Sequence, residues 1–383
     1  MPVKLMFVVA EDWYFYSHRL PIARAALQSG FEVVVATRVN AFAHEIEKEG
    51  FRVIPLSLKR ESASPASEWQ SIRELREIYK AERPDLIHHV ALKPILYGSI
   101  AALGKPEMKV VNAWAGLGYL VSSSSFKARI LRLLIWSGLS VCMRSSNYHV
   151  LFQNDDDRDL LARTLRLPVD KTSVIRGAGV DLSRFFPMPE PEGTPVVMLP
   201  SRMLWNKGVK EFVMAASLIK AGGLPVRFVL VGDTDVNSPA SISHAQLLEW
   251  LSRGDVEWWG FQSDMPSTLA RANIICLPSY REGLPKVLME AAASARAIVT
   301  TDVPGCRDVV RHGINGLLVE PTDIVGLRDA ILTLVRDPLI RRQMGLRGRE
   351  IAAKEFSESL IASQTLALYR RLLGQDACHN GHA

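Results

Sequence analysis

The stretch "ANIICLPSYREGLPKVLMEAAA" (Ala272–Ala293) runs from an apolar segment through a turn holding Gly283 and Pro285 into a helical pattern. Ile274, Ile275, Cys276 and Leu277 follow one another without polar alternation. They therefore read as a strand buried on both faces, as in a parallel sheet. Pro285 suits the first position of a helix, where its missing N–H costs nothing. The amides of Lys286 and Val287 would then point out of the helix start with the dipole behind them, beside Leu284 and a Gly283 that permits close backbone approach. A strand-to-helix turn of this kind, at the carboxyl end of a parallel strand, is a place for an anion.

Two carboxylates flank the turn. Glu282 stands just before the helix and Glu290 nearly a turn and a half into it, able to reach back along one flank of the same ligand. A carboxylate pair around an anion site suits a ligand with both phosphate and hydroxyls. The competing reading makes Glu282 a cap and Glu290 a solvated helix face.

The same alternation extends both ways. Upstream, "LMFVVA", "FEVVVAT", "RVIPL", "DLIHHV", "KVVNAW" and "YHVLFQN" are strand-like runs separated by helical stretches such as "HRLPIARAALQSG", with Gly30 as its C-cap. The proline-rich "RFFPMPEPEGTP" (Arg184–Pro195) reads as a linker. The pattern then restarts with "VVMLPS", "VRFVLVG", "VEWWG", "IICLPS" and "AIVTTD", and "GLLVE" adds a last short strand. The expected fold is α/β, with two Rossmann-like doubly wound domains and a cleft between them, over residues 1–186 and 187–355. Residues 356–383 are expected to form a helix packing back on the first domain, then a polar tail.

Composition agrees with two soluble globular domains: 383 residues, 48% hydrophobic and 22% charged. A net charge of +6 suits an anionic ligand or membrane surface and falls short of a nucleic-acid binder. Cys142, Cys276, Cys306 and Cys378 lack metal or redox spacing, which implies a reducing cytosol. The opening strand "VKLMFVVA" predicts no secretory signal, and "LLIWSGLSVCM" (Leu133–Met143) is shorter than the about 20 residues of a membrane span.

A second turn, "SRMLWNKGVKEF", offers Arg202 and Lys207, which either converge on a diphosphate or serve as surface charge. With "GDTDVNSPASIS", "VEWWGFQSDMPSTLARANIICLPSYREGLPKVLMEAAA" and "IVTTDVPGCRDVVRHGINGLLVEP", it resembles the family-4 retaining glycosyltransferases of the GT-B fold. The E-x7-E spacing from Glu282 to Glu290 is that family's signature. "SHRLPIARAALQSGFEV" and "PDLIHHVALKPILYGSIAA" are similar to the branch that extends polyprenyl-diphosphate-linked glycans in capsule, O-antigen or protein glycosylation.

The resemblance implies a first domain that binds acceptor and a second that binds a nucleotide-sugar. Glu282 would hold sugar hydroxyls and Glu290 the ribose. Arg202 and Lys207 would neutralise the departing diphosphate in place of a metal, and the backbone at Gly260 and Phe261 would receive the base. No metal or other cofactor is expected. Two departures stand out: "AEDWYFYSHRL" replaces the glycines usual in the first strand-to-helix turn, and "VNAWAGLGYL" lacks the histidine usual near the reacting centre. Gly116 and Gly118 would give close approach there. His18, as a catalytic group, or His88 and His89, with Lys93 on the acceptor side, would supply the polar role, although a lone histidine is more often structural.

The segment "SSSSFKARILRLLIWSGL" (Ser122–Leu139), with Lys127, Arg129, Arg132 and Trp136, reads either as a buried helix with a basic end or as an interfacial helix on anionic lipid. The second reading gives a peripheral protein at the inner face of the cytoplasmic membrane. "NDDDRD" (Asn154–Asp159) reads as the acidic first turn of a helix, and the "CHNGHA" tail as a frayed terminus. The leading function is a UDP-sugar-dependent transferase. A nucleotide-sugar epimerase and a non-catalytic nucleotide-sugar-binding subunit are the rivals.

Overall fold

Each apolar run quoted above forms a parallel strand. The computed structural model describes residues 2–58, 64–116, 126–143, 147–235 and 238–375, which include Gly116 but neither Gly118 nor the tail from 376. The strands are β1 (Lys4–Glu11), β2 (Glu32–Arg38), β3 (Arg52–Pro55), β4 (Leu86–Val90), β5 (Lys109–Ala113), β6 (Tyr148–Phe152), β7 (Thr172–Val174), β8 (Val196–Pro200), β9 (Arg227–Val231), β10 (Glu257–Trp258), β11 (Ile274–Leu277), β12 (Ala297–Thr301) and β13 (Gly316–Val319). They make a seven-stranded sheet in the order β3-β2-β1-β4-β5-β6-β7 and a six-stranded sheet in the order β10-β9-β8-β11-β12-β13. Only β7 is missing from the sequence reading. It is three half-buried residues at a sheet edge, too short and polar to show as an apolar run.

The continuous hydrophobicity of the strands follows from burial on both faces. In β1, Met6 and Val8 enter one core layer while Leu5, Phe7 and Val9 enter another. In β11, Ile274 and Cys276 face one layer of the second unit, and Ile275 and Leu277 the other. Strand order reverses between β1 and β4 in the first sheet and between β8 and β11 in the second. Ligands of open parallel sheets bind outside the carboxyl ends at such reversals.

The chain divides into two compact units, one of Met1–Ala178 with the last helix, the other of Gly179–Ser357. That helix, Glu358–Leu372, contributes Ile361, Leu366, Leu368 and Tyr369 to a core layer of the first unit. The stretch from Arg184 to Pro195 is not a free linker. The buried guanidinium of Arg296 donates to the carbonyls of Met188 at 2.9 Å and Pro189 at 3.1 Å, and Arg341 donates to Glu190 at 2.6 Å. These bonds satisfy two buried cations, so the proline-rich segment is tied to the second unit. Among the described residues no helix is long and apolar enough to cross a membrane.

Candidate functional site

In the second unit the carboxyl ends of β8, β9 and β11 carry three loops joined by two ion pairs. Arg202, just past β8, pairs with Asp235 past β9 at 2.5 Å. Lys207, in the short 3-10 turn Trp205–Lys207, donates to Oε1 of Glu282 past β11. The Lys207–Glu282 pair therefore bridges the two strands between which the sheet reverses. Both side chains are mostly buried, at 19% and 12% exposure. Ser279 Oγ donates to the same Oε1 at 2.7 Å, whereas Oε2 has no bond to the described residues. One carboxylate oxygen is thus fixed and the other is left to a ligand. Lys207 Nζ, with three protons, spends one on Glu282 and keeps two donors.

A backbone contact holds this geometry. Asn206 O accepts from Tyr280 N at 3.0 Å, which locks the β8 loop to the β11 loop. Gly208 follows Lys207 with φ +72°, and a Cβ there would lie 2.0 Å from the carbonyl oxygen of Pro278. Gly305 has φ +82°, and its Cβ would meet the carbonyl oxygens of Gly283 at 2.6 Å and Glu282 at 2.8 Å. The missing Cβ of Gly305 thus lets its loop pack directly on the carbonyls of Glu282 and Gly283. Thr301 Oγ1 bonds to Ser279 O, and Cys306 is buried beside the site. Burial first, and then the charge of Glu282, pushes the Cys306 thiol up to about 12, so it stays a neutral packing group.

The helix after the turn is Lys286–Ala293. Pro285 is its N-cap, with φ −71° and ψ 113°, and not its first helical residue. An extended ψ at 285 ends the turn one residue later than the sequence suggested, and Pro285 O accepts from Leu288 N at 3.1 Å. Lys286 and Val287 still occupy the first two helical positions. Glu290 is buried on that helix, with Oε1 4.0 Å from Lys286 Nζ, so the solvated-face reading fails. Leu284 is buried in the core. Gly260 O accepts from Gly232 N at 2.8 Å, which sets the loop after β10 beside the one after β9, and Phe261 is 71% exposed. Asp235, Ser279 and Gly305 escaped the sequence reading. Only a glycine near an acidic turn could have hinted at the last.

In the first unit β1 passes directly into the helix Asp12–His18. Asp12 is fully buried and accepts from the amides of Asn40 at 2.7 Å and Phe42 at 3.0 Å, a tie that replaces a glycine turn. His18 ends that helix, stacked on Tyr14 with ring centres 4.2 Å apart and Nδ1 2.6 Å from Ser17 Oγ. Lys93 pairs with Glu68 at 2.8 Å. Ala91, between β4 and the helix Leu92–Ala101, takes φ +68°, a strained value for a residue with a side chain, at the reversal of the first sheet.

His89 cannot bind an acceptor. It is fully buried, bonded to Tyr79 OH at 2.7 Å and Asn112 Oδ1 at 2.8 Å, and packed so tightly on Gly98 that a Cβ there would lie 2.2 Å from its Nε2. Burial holds it neutral, down at about 4. His88 is also fully buried, stacked on Phe7, with Nδ1 bonded to Tyr369 OH.

The helix Phe126–Cys142 divides its residues differently from the sequence expectation. Trp136 is half-buried against the core, its ring 6.2 Å from that of Trp114, and Arg132 is half-buried too. Ile130, Leu133 and Leu134 are exposed, at 47%, 66% and 65%, with Arg129 exposed beside them, and Val141 is exposed nearer the helix end. The side chain of Lys127 lies outside those described. At Asn154 the side chain caps the helix Asp155–Leu165 by accepting from Asp157 N at 2.7 Å, as expected of an acidic first turn. A cavity of the second unit, lined by Pro189, Arg227, Trp259 and Arg271, does not include the Lys207–Glu282 pair.

Two doubly wound parallel units, with the second unit's paired Lys207 and Glu282 at the sheet reversal, define the GT-B class of fold. Solved structures agree: sucrose-phosphate synthase from Thermosynechococcus elongatus superposes with a TM-score of 0.80 at 21% identity, covering 97% of this chain and 99% of that one. Anabaena Alr3699/HepE in complex with UDP and glucose gives 0.77 at 18% identity, covering 96% and 99%. Residues 194–337 match the family described as glycosyl transferases group 1, and residues 4–140 the one described as glycosyl transferase 4-like. The N,N'-diacetylbacillosaminyl-diphospho-undecaprenol alpha-1,3-N-acetylgalactosaminyltransferase of Campylobacter jejuni is 30% identical over 371 residues, 94% of this chain and 96% of its own length. The chain belongs to the group 1, family-4 glycosyltransferases, a retaining family.

Proposed function

We propose that the protein transfers a sugar, an N-acetylhexosamine or galactose, from a UDP-sugar to a polyprenyl-diphosphate-linked glycan during bacterial surface-polysaccharide or glycoprotein-glycan assembly. The observation that carries this reading is the Lys207–Glu282 pair, with Glu282 Oε2 left open and two Lys207 protons unspent at the sheet reversal. Oε2 accepts a sugar hydroxyl, and Lys207 with Arg202 faces the charge that builds on the departing diphosphate. Donors fixed before reaction cost no reorganisation when that charge develops, so no metal is needed. Glu290 takes the ribose hydroxyls, the start of the helix Lys286–Ala293 takes phosphate oxygens, and the backbone at Gly260 and Phe261 takes the base. The Campylobacter relative, whose name specifies a diphospho-undecaprenol acceptor, supports the acceptor class, and the UDP-bound Anabaena structure supports the donor.

A lipid-linked acceptor keeps its tail in the bilayer, so the enzyme must dock on the membrane surface. Ile130, Leu133 and Leu134 beside Arg129 suit that contact. The test is transfer of radiolabelled sugar from a panel of UDP- and GDP-sugars to an undecaprenyl-diphosphate disaccharide in anionic vesicles, with wild type and a Leu133→Ser/Leu134→Ser variant. The expected result is transfer from a UDP-sugar that the variant loses on vesicles but keeps with a detergent-solubilised acceptor. Transfer from none of these donors sinks the substrate assignment, and equal vesicle activity of both proteins sinks the docking face.

A further inference from the structure

The first unit holds a small pocket where Arg19, at the start of the helix Leu20–Gln28, meets His88 of β4, Trp114 just past β5 and Gln153 just past β6. The first three are almost fully buried, at 3%, 0% and 2% exposure. Each of these three lining residues carries an N–H position without a hydrogen-bond partner: Arg19 Nε, His88 Nε2 and Trp114 Nε1. Arg19's one side-chain bond among the described residues runs from Nη1 to the His18 carbonyl at 3.1 Å, and no carboxylate pairs with it. A guanidinium removed from water without an anion is costly, and so is each unpaired buried donor. The molecule keeps three of these together.

We propose that Arg19, His88 and Trp114 form an oxyanion pocket that receives one phosphoryl oxygen of a diphosphate-bearing ligand. The space left for the centre of a water-sized body is about 10 Å³, room for one oxygen atom. A water molecule matches this site poorly, because it accepts only two hydrogen bonds and must donate two of its own. An anionic oxygen accepts all three and offsets the charge of Arg19. The Tyr369 hydroxyl on His88 Nδ1 fixes the ring's role: with Tyr369 donating, a neutral imidazole carries its proton on Nε2, toward the pocket. Burial keeps Tyr369 protonated and drives His88 well below its ordinary value, which keeps that arrangement in place. Thr365, on the same helix as Tyr369, also lines the pocket. The last helix of the chain thus acts as a positioning element for a site built on the first sheet. Trp114 and Gln153 stand just past the carboxyl ends of β5 and β6, the end of an open parallel sheet on which ligands bind. The identity of the molecule that brings the oxygen, the acceptor lipid diphosphate, rests on the reading in the previous section; the pocket's preference for a phosphoryl oxygen does not.

The test uses the full chain saturated with UDP, so that the second unit is occupied, and calorimetric titration with inorganic diphosphate, farnesyl diphosphate and farnesol. Trp114→Phe keeps an aromatic ring and removes the N–H; Arg19→Gln removes the charge. Wild type is expected to bind both diphosphates and not farnesol. Trp114→Phe should weaken diphosphate binding about 10-fold, the scale of one hydrogen bond to a charged group, and Arg19→Gln should weaken it more. Trp114→Phe also leaves a cavity in the core layer that Trp114 shares with Trp136, so the melting temperature of each ligand-free variant serves only as the check on folding. If inorganic diphosphate responds to the variants and farnesyl diphosphate does not bind, the pocket stands and the lipid acceptor falls. Unchanged diphosphate affinity in both folded variants overturns the pocket and leaves a bound water in its place.

Discussion

Replacing Gly208 by alanine tests whether the loop that carries Lys207 is held by one close backbone approach. The added Cβ would stand 2.0 Å from the Pro278 carbonyl oxygen, and real Cβ atoms keep at least 3.0 Å, so the loop or the end of β11 must move by about 1 Å. Lys207 is the preceding residue, and Asn206 before it accepts the Tyr280 amide bond that ties the loops together, so the displacement passes directly to the Lys207–Glu282 pair. A misplacement of about 1 Å at a reacting centre costs on the order of 10²-fold in rate. The φ of +72° adds the left-handed penalty of roughly 1–2 kcal/mol. For a unit of this size that lowers its melting temperature by about 2–8 °C. Steady-state transfer at saturating donor gives kcat, circular dichroism reports retained fold, and a thermal scan gives the melting shift. A Gly208→Ala protein with kcat within about 3-fold of wild type and the same melting temperature would refute the reasoning, because the contact would then be too soft to position Lys207.

Glu282→Gln is expected to lower kcat while UDP affinity holds, since the amide keeps its place near Lys207 but accepts a sugar hydroxyl weakly. Glu290→Gln should chiefly raise the donor KM, and identical defects in steady-state kinetics would remove the separate roles. His89 gives the pH dependence. Folded it titrates at about 4 and unfolded at about 6.5, so between those values the unfolded chain binds the extra proton and stability falls as pH drops. The full loss is on the order of 3 kcal/mol by pH 4 and is absent above pH 7. Urea unfolding of His89→Gln at pH 7, 5.5 and 4.5 should show a slope one proton shallower than wild type, and parallel curves would contradict it.

The strands were legible because parallel sheets buried on both faces need unbroken apolar runs, as in Ile274–Leu277. The site's two turns were legible because a strand-to-helix turn with a nearby charge is a local pattern. What joins them is not local. Lys207 and Glu282 are 75 residues apart, and nothing in either segment says that the cation and the carboxylate meet. Gly305 acts on Glu282 from a third loop. The adjacent histidines carried a signal that the acceptor assignment passed over. Successive side chains of a strand point to opposite faces, so His88 and His89 of β4 could not serve one ligand. Trp136 misled because an aromatic beside basic residues reads as interfacial, while its helix buries Ile135, Leu139 and Cys142 on the side it shares.

The central claim is that Lys207, held by Glu282, does the electrostatic work on the leaving diphosphate. The direct measurement is kcat of wild type and Lys207→Met, each freed of metal by EDTA and each checked for fold. The account predicts that wild type keeps its activity under chelation and that Lys207→Met loses about 10²-fold or more, the scale of one preorganised donor. Activity that disappears on chelation and returns with Mg²⁺ or Mn²⁺, or a Lys207→Met protein with wild-type kcat, would contradict it.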